Sequence, residues 1–499
     1  MLRILSVLFL VLTAPALAQE PAKPKLSASD LPKDRTTWFG VYVHGKKSGF
    51  AKETYKREAD RLVVGMEFEF KLRSMGTDVE MKIVDRQEFA LTAPFAYLGG
   101  RMVMQPGQDR TFVANGTTVT ATTKVGSEDV RQDVEGVHYT LEEQLAMVLW
   151  LTPSRKSGDV ITVGGFDSLF LKPMKTTFTL KSRSTRTVHG VKAESYTVRV
   201  VSSTQGEQGD LVLTGEGQMI SMKFGGMIEM RQEPEALAKK LEKGGDLFFN
   251  SAVSVDKPLG NPQDVVELEL WATGPRVNEL PSGPRQSVVQ KDGATLLRMA
   301  PDAGEVVATA EEIANCTQPD GMCPSDHPKV IALANKLVGD AATPREKTRR
   351  LTLGIYDSMA KVLRPQWVSV IELCDDMRGD CSEHSALFVA CARAAGLAAR
   401  PAVGLIYIGD RHKSLGGHAW AEVVLDGKWV PVDPSWGELE INATHIRMGA
   451  GSTSLGAMIH AFSGLKFEVK RIGWRRAPKR APKKTLEQAQ DEAKAKAAE

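Results

Sequence analysis

Three residues in the last third of the chain have the types and the order that nucleophilic catalysis needs. They are a thiol at Cys381, an imidazole at His418 and a carboxylate at Asp433. A thiolate can attack an acyl carbon, an imidazole can take and return a proton, and a carboxylate can orient the imidazole. Each residue type alone also has structural roles, in core packing for Cys and His and in turns for Asp. Their order and local sequences favour catalysis, so we predict these three as the catalytic residues.

The sequence around Cys381 predicts the start of a helix. Apolar residues recur with helical spacing from about Ser382 to Ala395, and Gly396 follows as a stop signal. Asp380 is a suitable N-cap, so Cys381 should lie on the first turn of this helix. Free N–H groups and the helix dipole stabilise a thiolate at that position. The same N–H groups are expected to be available to an oxyanion.

The imidazole and the carboxylate are predicted on two strands of one hairpin. An apolar strand follows His418 and ends at Asp426-Gly427, a dipeptide typical of hairpin turns. The returning strand leads directly into Asp433. Because the strands of a hairpin are adjacent, we expect the two side chains to lie near one another.

These landmarks resemble the transglutaminase-like superfamily, whose catalytic domain has a papain-type fold. The family pattern is Gly-x-Cys-x-Glu, a helix that ends in Gly-Ile-Pro-Ala-Arg, then His-Ala-Trp-x-Glu-Val and Gly-x-Trp-x-Pro-Val-Asp-Pro. The matching segments here are 379–383, 396–400, 418–423 and 427–434. Ala398 departs from the pattern, because the family has proline there. Residues 443–448 are similar to a motif that follows the core in bacterial members.

The resemblance covers about residues 325–450 and implies an activity. It implies Cys381 as the nucleophile, His418 as the base and Asp433 as the orienting acid of a cysteine acyl-transfer enzyme. Cys381 would attack a carboxamide, and a thioester would remain on it. If water then attacked the thioester, the protein would be a peptidase or amidase. If a lysine amine attacked it, the protein would be a crosslinking acyltransferase. Both outcomes stay open, with the hydrolase slightly favoured because exported bacterial relatives are more often taken to be hydrolases.

A second class of function also stays open. The chain could be a non-catalytic binding or envelope-assembly protein that retains the transglutaminase-like fold. The intact Cys, His and Asp argue against this alternative, because a scaffold gains nothing from that combination.

The first residues predict an exported protein. Residues 1–18 combine a basic start, an apolar run and a small-residue cleavage site at Ala16-Leu17-Ala18, as a signal peptide does. No later stretch approaches the about 18 apolar residues of a transmembrane helix. We therefore expect a periplasmic or extracellular protein without a transmembrane segment.

The composition of the chain limits the classes of binding partner that we expect. The chain is 42% hydrophobic and 25% charged with a formal net charge of +3, which fits a folded protein and argues against nucleic acid as a partner. There is no metal-ligand spacing and no calcium-loop pattern, so no cofactor and no metal are predicted. A protein or peptide is the expected substrate.

The periodicity along the chain predicts an α+β protein, with a large antiparallel β N-terminal region followed by a papain-like transglutaminase core. Alternating apolar residues and turn signals such as Asn115-Gly116 indicate strands in the first half, and helical spacing begins near Pro328. The predicted units are a signal peptide at 1–18, a flexible lead-in at 19–34, a β-rich domain at 35–249, a small β region at 250–310, a catalytic domain at 311–465 and a charged low-complexity tail at 466–499. We predict that the basic tail is either solvated or a frayed helix, with weak contact to an anionic envelope surface.

Three questions stay open at this point. The β-rich domain either positions and shields the catalytic core or binds substrate. The region 250–310 is either a separate domain or an extension of the first. Cys316 and Cys323 flank a turn-rich loop and are either disulfide-bonded or free, and a bond between Cys374 and Cys381 would inactivate the enzyme.

Overall fold

The structure is a computed structural model of the chain. It describes residues 25–27, 30–43, 45–74, 77–105, 107–188, 191–204, 206–224, 228–241, 252–274, 277–291, 294–362, 368–451 and 464–475. The predicted signal peptide lies outside these residues, as do parts of the lead-in and the tail beyond 475. No helix within the described ranges is long and apolar enough to cross a bilayer.

One large antiparallel sheet forms the N-terminal region, as predicted. Its fourteen strands are β1 (Arg35–Val43), β2 (Lys46–Glu58), β3 (Arg61–Ser74), β4 (Thr77–Ala90), β5 (Tyr97–Gln105), β6 (Gln108–Asn115), β7 (Thr118–Val125), β8 (Glu128–Val134), β9 (Val160–Asp167), β10 (Lys172–Val188), β11 (Val191–Ser202), β12 (Gly206–Thr214), β13 (Met219–Phe224) and β14 (Ile228–Gln232). Two meanders, β1–β8 and β9–β14, join where β1 pairs with β14. The predicted turn at Asn115-Gly116 connects β6 to β7, with Asn115 opposite Thr118.

Two helices accompany this sheet. Helix α1 (Leu141–Trp150) begins at Thr140, whose side chain accepts a hydrogen bond from the Glu143 N–H, as the capping signal predicted. It buries Leu141 and Trp150 against the sheet. Helix α2 (Glu235–Ala238) is shorter than the helix we predicted at 234–243.

The small β region packs on the segment that we predicted as the catalytic domain, called the catalytic core below. Its strands are β15 (Val253–Ser254), β16 (Val265–Thr273), β17 (Gln286–Lys291) and β18 (Ala294–Met299), with short 3₁₀ helices at Pro262–Asp264 and Val277–Glu279. Leu268 and Leu270 share one apolar cluster with Leu405 and Tyr407 of the catalytic sheet. Gln286 is buried and bonds the backbone of Arg447 on both sides, through Nε2 to the carbonyl oxygen and through Oε1 to the N–H.

The start of the predicted tail is a strand, so that prediction was wrong for these residues. Strand β25 (Lys466–Trp474) pairs with β16 and completes a sheet of order β17-β18-β16-β25. Phe467 and Val469 alternate with charged residues and are buried in the shared cluster. The basic composition of the segment concealed this two-residue period.

The catalytic core has the predicted papain-like α+β arrangement. Its elements are α3 (Ala310–Asn315), α4 (Pro328–Val338), α5 (Pro344–Ser358), β19 (Ala360–Lys361), α6 (Val370–Asp376), β20 (Arg378–Gly379), α7 (Cys381–Ala394), β21 (Ala399–Tyr407), β22 (Ser414–Leu425), β23 (Lys428–Val432) and β24 (Ile446–Ala450). Strands β15-β22-β21-β24 form one sheet, with β23 on β22. Helix α7 packs on this sheet through buried residues that include Leu387 and Phe388, which meet Ala421 and Val423. We did not predict α3 or α6.

All five cysteines are free. The proposed bond between Cys316 and Cys323 is therefore not formed, and neither is a bond between Cys374 and Cys381. Cys316 ends helix α3 and accepts a hydrogen bond from the Ala399 N–H through its carbonyl oxygen. These backbone contacts hold the loop in place of a crosslink.

Candidate active site

Helix α7 presents Cys381 at its N-terminus, as the sequence predicted. Asp380 is the N-cap, and its carboxylate accepts hydrogen bonds from the N–H groups of Ser382, at 2.7 Å, and Glu383. The Glu383 carboxylate accepts in turn from the Asp380 N–H at 2.8 Å. This capping box uses N–H groups that we had expected to be free for an oxyanion. The N–H of Cys381 itself has no partner in the part of the chain that the structure describes.

His418 and Asp433 form a buried hydrogen-bonded pair. His418 lies on β22 and Asp433 follows β23, and these two strands are the predicted hairpin. Nε2 of His418 is 2.7 Å from Oδ2 of Asp433. The exposed fractions are 6% for His418 and 0% for Asp433. The rings of Trp420 and Trp436 pack beside the His418 ring.

The hydrogen-bonded pair of His418 and Asp433 favours the protonated, charged form of the imidazole. Burial lowers the pKa of His418, but the charge of Asp433 and the neighbouring Cys381 raise it more strongly, to about 10. Because Nε2 bonds Asp433, Nδ1 is the ring nitrogen that remains for Cys381. The structure therefore brings all three predicted residues together.

A second histidine, His445, lies on the other side of Asp433. Its Nε2 is 3.1 Å from Oδ2 of Asp433, and the side chain is fully buried. We predicted no role for His445 from the sequence, although it lies within the 443–448 motif. The signal was the motif itself, since neither spacing nor periodicity points from His445 to Asp433.

His418, Asp433 and His445 also form a group that could hold a metal ion, with ligand atoms within 4.8 Å of one another. The distances of 2.7 and 3.1 Å from the two imidazoles to Asp433 are ordinary hydrogen-bond lengths. A zinc ion would need all three atoms at about 2.0–2.2 Å from itself and would remove both hydrogen bonds. We assign these residues to a hydrogen-bonded cluster.

Comparison with known protein families finds a match in the segment that contains Cys381, His418 and Asp433. Residues 331–434 match the family model of the transglutaminase-like superfamily. A search of curated proteins finds no match.

Solved structures show partial likeness. A protein from Cytophaga hutchinsonii described as a candidate cysteine protease is 14% identical, covers 44% of this chain and 89% of its own, and has a TM-score of 0.28. The periplasmic domain of TgpA from Pseudomonas aeruginosa is 18% identical, with 43% and 79% covered and a TM-score of 0.26. A β-barrel-like protein of unknown function from Brucella abortus is 8% identical, with 40% and 95% covered and a TM-score of 0.32. By the family match, the chain carries a core of the transglutaminase-like superfamily over residues 331–434, the segment that contains Cys381, His418 and Asp433.

Proposed function

We propose that the protein is an exported thiol acyl-transfer enzyme that acts on carboxamide bonds of a protein or peptide. The observation that carries this proposal is the buried His418–Asp433 pair with Cys381 beside the imidazole at the start of α7. An imidazolium next to a thiol at a helix N-terminus favours the thiolate over the thiol. A thiolate is the form that attacks an acyl carbon.

In the first step the sulfur of Cys381 forms a bond to the carboxamide carbon. The carbon–nitrogen bond then breaks, and His418 gives its proton to the leaving amine. A thioester remains on Cys381, and Asp433 keeps the imidazole oriented. The Cys381 N–H is the remaining backbone donor of the first turn toward the oxyanion.

In the second step a nucleophile attacks the thioester carbon, His418 accepts the proton of this nucleophile, and the thiolate of Cys381 leaves. Water gives a carboxylic acid, as in a peptidase or amidase, and a lysine amine gives an isopeptide crosslink. We favour hydrolysis slightly, because the resemblance covers both activities and exported bacterial relatives are more often taken to be hydrolases. Incubation of an acyl donor with and without a labelled amine decides between the two, because only transamidation incorporates the label.

Export is part of the proposal and is tested separately. The signal sequence at 1–18 predicts a mature chain that begins at Gln19 and lies in the periplasm or outside the cell. N-terminal sequencing of the protein recovered from a periplasmic extract would check this. A chain that still begins at Met1 would contradict it.

The activated thiol is tested by alkylation. We expect iodoacetamide to label Cys381 at pH 6, well below the free-thiol pKa of about 8.5, and roughly tenfold faster than in His418→Ala. Burial raises the pKa of Cys374 to about 11 and that of Cys323 to about 12, so both should react slowly at pH 6. Peptide mapping assigns the label, and Cys381→Ser gives the background.

The same experiment separates the enzyme from the alternative, a non-catalytic binding or envelope-assembly protein. If Cys381 reacts like a free thiol and His418→Ala does not change its labelling rate, the proposal that the protein is an enzyme is wrong. The binding protein would then be the better interpretation of the retained fold.

A further inference from the structure

We propose that His445 is a positioning residue of this active site, which holds Asp433 in the orientation that engages His418. The inference rests on the proposed function, since it names a residue that would serve the same Cys381, His418 and Asp433. It assigns a role to a buried side chain that the mechanism above does not use.

The Asp433 carboxylate is held from two directions. Oδ1 accepts hydrogen bonds from the N–H and the hydroxyl of Ser435, both at 2.7 Å, and from the Trp436 N–H at 3.1 Å. Oδ2 faces His418 at 2.7 Å and His445 at 3.1 Å. The turn after Asp433 therefore fixes one oxygen, and the two histidines share the other.

The hydrogen-bond partners of His445 indicate which ring nitrogen carries a proton. Nδ1 is 3.1 Å from the Asn442 carbonyl oxygen, and Nε2 is 3.1 Å from Asp433 Oδ2, so both nitrogens face acceptors. A carboxylate is the stronger acceptor, and the Asn442 carbonyl already accepts from the His445 backbone N–H. Nε2 of His445 therefore donates to Oδ2 of Asp433.

The loop between Asp433 and His445 is built to hold this contact. Asp433 and Glu438 pair through both backbone N–H and carbonyl groups. The Glu438 carboxylate accepts from the backbone and side-chain N–H groups of Asn442. Asn442 Oδ1 in turn accepts from the N–H and hydroxyl of Thr444. These hydrogen bonds connect Asp433 through Glu438 and Asn442 to Thr444, the residue before His445.

Packing leaves the His445 ring little freedom to turn away. The Trp420 ring meets it nearly edge-on, with centroids 5.3 Å apart and planes at 86°. The rings of His418 and Trp436 lie 5.4 and 6.3 Å from it. Rotation of His445 would leave the second acceptor site of Asp433 Oδ2 unfilled in a buried place, which is unfavourable.

The test compares a substitution that removes the hydrogen-bond donor at position 445 with one that retains a donor. His445→Leu introduces an apolar side chain that has no donor, and His445→Gln places an amide N–H near the position of Nε2. We measure the rate of Cys381 alkylation by iodoacetamide between pH 5 and 9 in the full-length protein. We expect the rate at pH 6 to fall roughly tenfold in His445→Leu, because misplaced catalytic groups lose rate steeply. In His445→Gln we expect it to stay within about threefold of the wild type.

The shape of the pH profile and a control separate positioning from general damage. In His445→Leu the fast labelling at low pH should give way to the simple rise of a free thiol near pH 8.5. Thr352→Val is the control, because it removes a buried hydrogen bond on α5, from the Thr352 hydroxyl to the Thr348 carbonyl oxygen, outside the loop from Asp433 to His445. Its profile should match the wild type. Thermal unfolding establishes that each variant is folded.

The outcomes are distinguishable. The His445 inference is overturned if His445→Leu labels like the wild type, or if folded His445→Gln loses as much rate as His445→Leu. If His445→Leu does not fold, a wild-type profile in His445→Gln supports the inference and a free-thiol profile overturns it. A wild-type protein that itself labels like a free thiol overturns both this inference and the proposed function, whereas a fast wild type leaves the proposed function standing.

Discussion

Asp433 stays charged in a fully buried position because donors surround both of its oxygens. Burial raises the pKa of this carboxyl, but the charge of His418 and the hydrogen bonds from His418 and His445 lower it well below its usual range. An ionised carboxylate in turn stabilises the imidazolium form of His418. At the scale of single residues, the charge that the proposed chemistry would use also contributes to folding.

This coupling predicts a pH-dependent stability. The pKa of His418 is raised to about 10 in the folded protein, against about 6.5 when unfolded. The stability that His418 contributes is therefore fully present below about pH 6.5 and is lost as the pH rises towards 10. We expect His418→Gln to lower the free energy of unfolding by a few kcal/mol, roughly, at pH 6 and by little at pH 10.

Urea unfolding at several pH values measures this difference. His138→Gln, at an exposed position of the N-terminal region, is the control and should not change the pH dependence. A loss in His418→Gln that is constant from pH 6 to pH 10 would contradict the raised pKa.

The residues of the site were predictable to different degrees. Cys381, His418 and Asp433 each lie in a short sequence with its own signal, namely a helix start, a following apolar strand pattern and a hairpin end. The strand itself begins earlier than predicted, at Ser414, so His418 lies within it. His445 has no such signal, because its contact with Asp433 depends on a loop whose hydrogen bonds involve side chains. We expected too many N–H groups of the first turn of α7 to be available to an oxyanion. The sequence identifies Asp380 as the cap but does not show which N–H groups its carboxylate binds.

At the scale of elements, close packing of three strands holds the site. A Cβ on Gly404 of β21 would lie 1.9 Å from the Ile446 carbonyl oxygen on β24 and 2.8 Å from the Trp420 ring on β22. Strand β24 starts at Ile446, directly after His445, and β22 carries His418. Any side chain at Gly404 must therefore push apart the strands that bring these two histidines to Asp433.

We expect Gly404→Ala to destabilise the protein by roughly 2 kcal/mol or more and to slow Cys381 labelling. Urea unfolding and iodoacetamide labelling at pH 6 measure the two effects. The control is Gly215→Ala in the turn after β12 of the N-terminal sheet, where a Cβ meets nothing closer than 3.6 Å. If the two variants were equally stable and reactive, tight packing at Gly404 would not matter.

Elements with a local signal were predicted, and those that depend on distant partners were not. Helices α4, α5 and α7 begin at caps or prolines and have apolar faces, so their patterns were sufficient. Strand β25 is basic and lies far along the chain from its partner β16, and only the shared core identifies it as a strand. Helix α6 spans Val370–Asp376, too few residues for a clear period.

At the scale of the whole molecule, a buried arginine connects the N-terminal sheet to the catalytic core. Arg110 on β6 is 2% exposed. Its guanidinium donates to the carbonyl oxygens of Ser168 and Leu169 and, at 2.7 Å, to that of Gly321 in the core. In the same loop as Gly321, Asp320 pairs with Arg393 on α7 at 3.0 Å. The sheet thereby contacts the loop that is tied to the last turn of the helix that begins at Cys381.

These contacts are the kind that a scaffold positioning the core would make, one of the two roles left open for the N-terminal region, and they give the last prediction. Arg110→Met should destabilise the protein by roughly 3 kcal/mol, because a buried guanidinium is lost and three partly buried carbonyl groups lose their charged donor. We also expect thermolysin to cleave between the two units faster, since loss of the contact uncouples them. Arg101→Met is the matched control, because Arg101 pairs with Asp109 at an exposed site of the same sheet. Equal stability and equal cleavage rates in the two variants would show that Arg110 does not couple the sheet to the core, and the scaffold role would lose its main support.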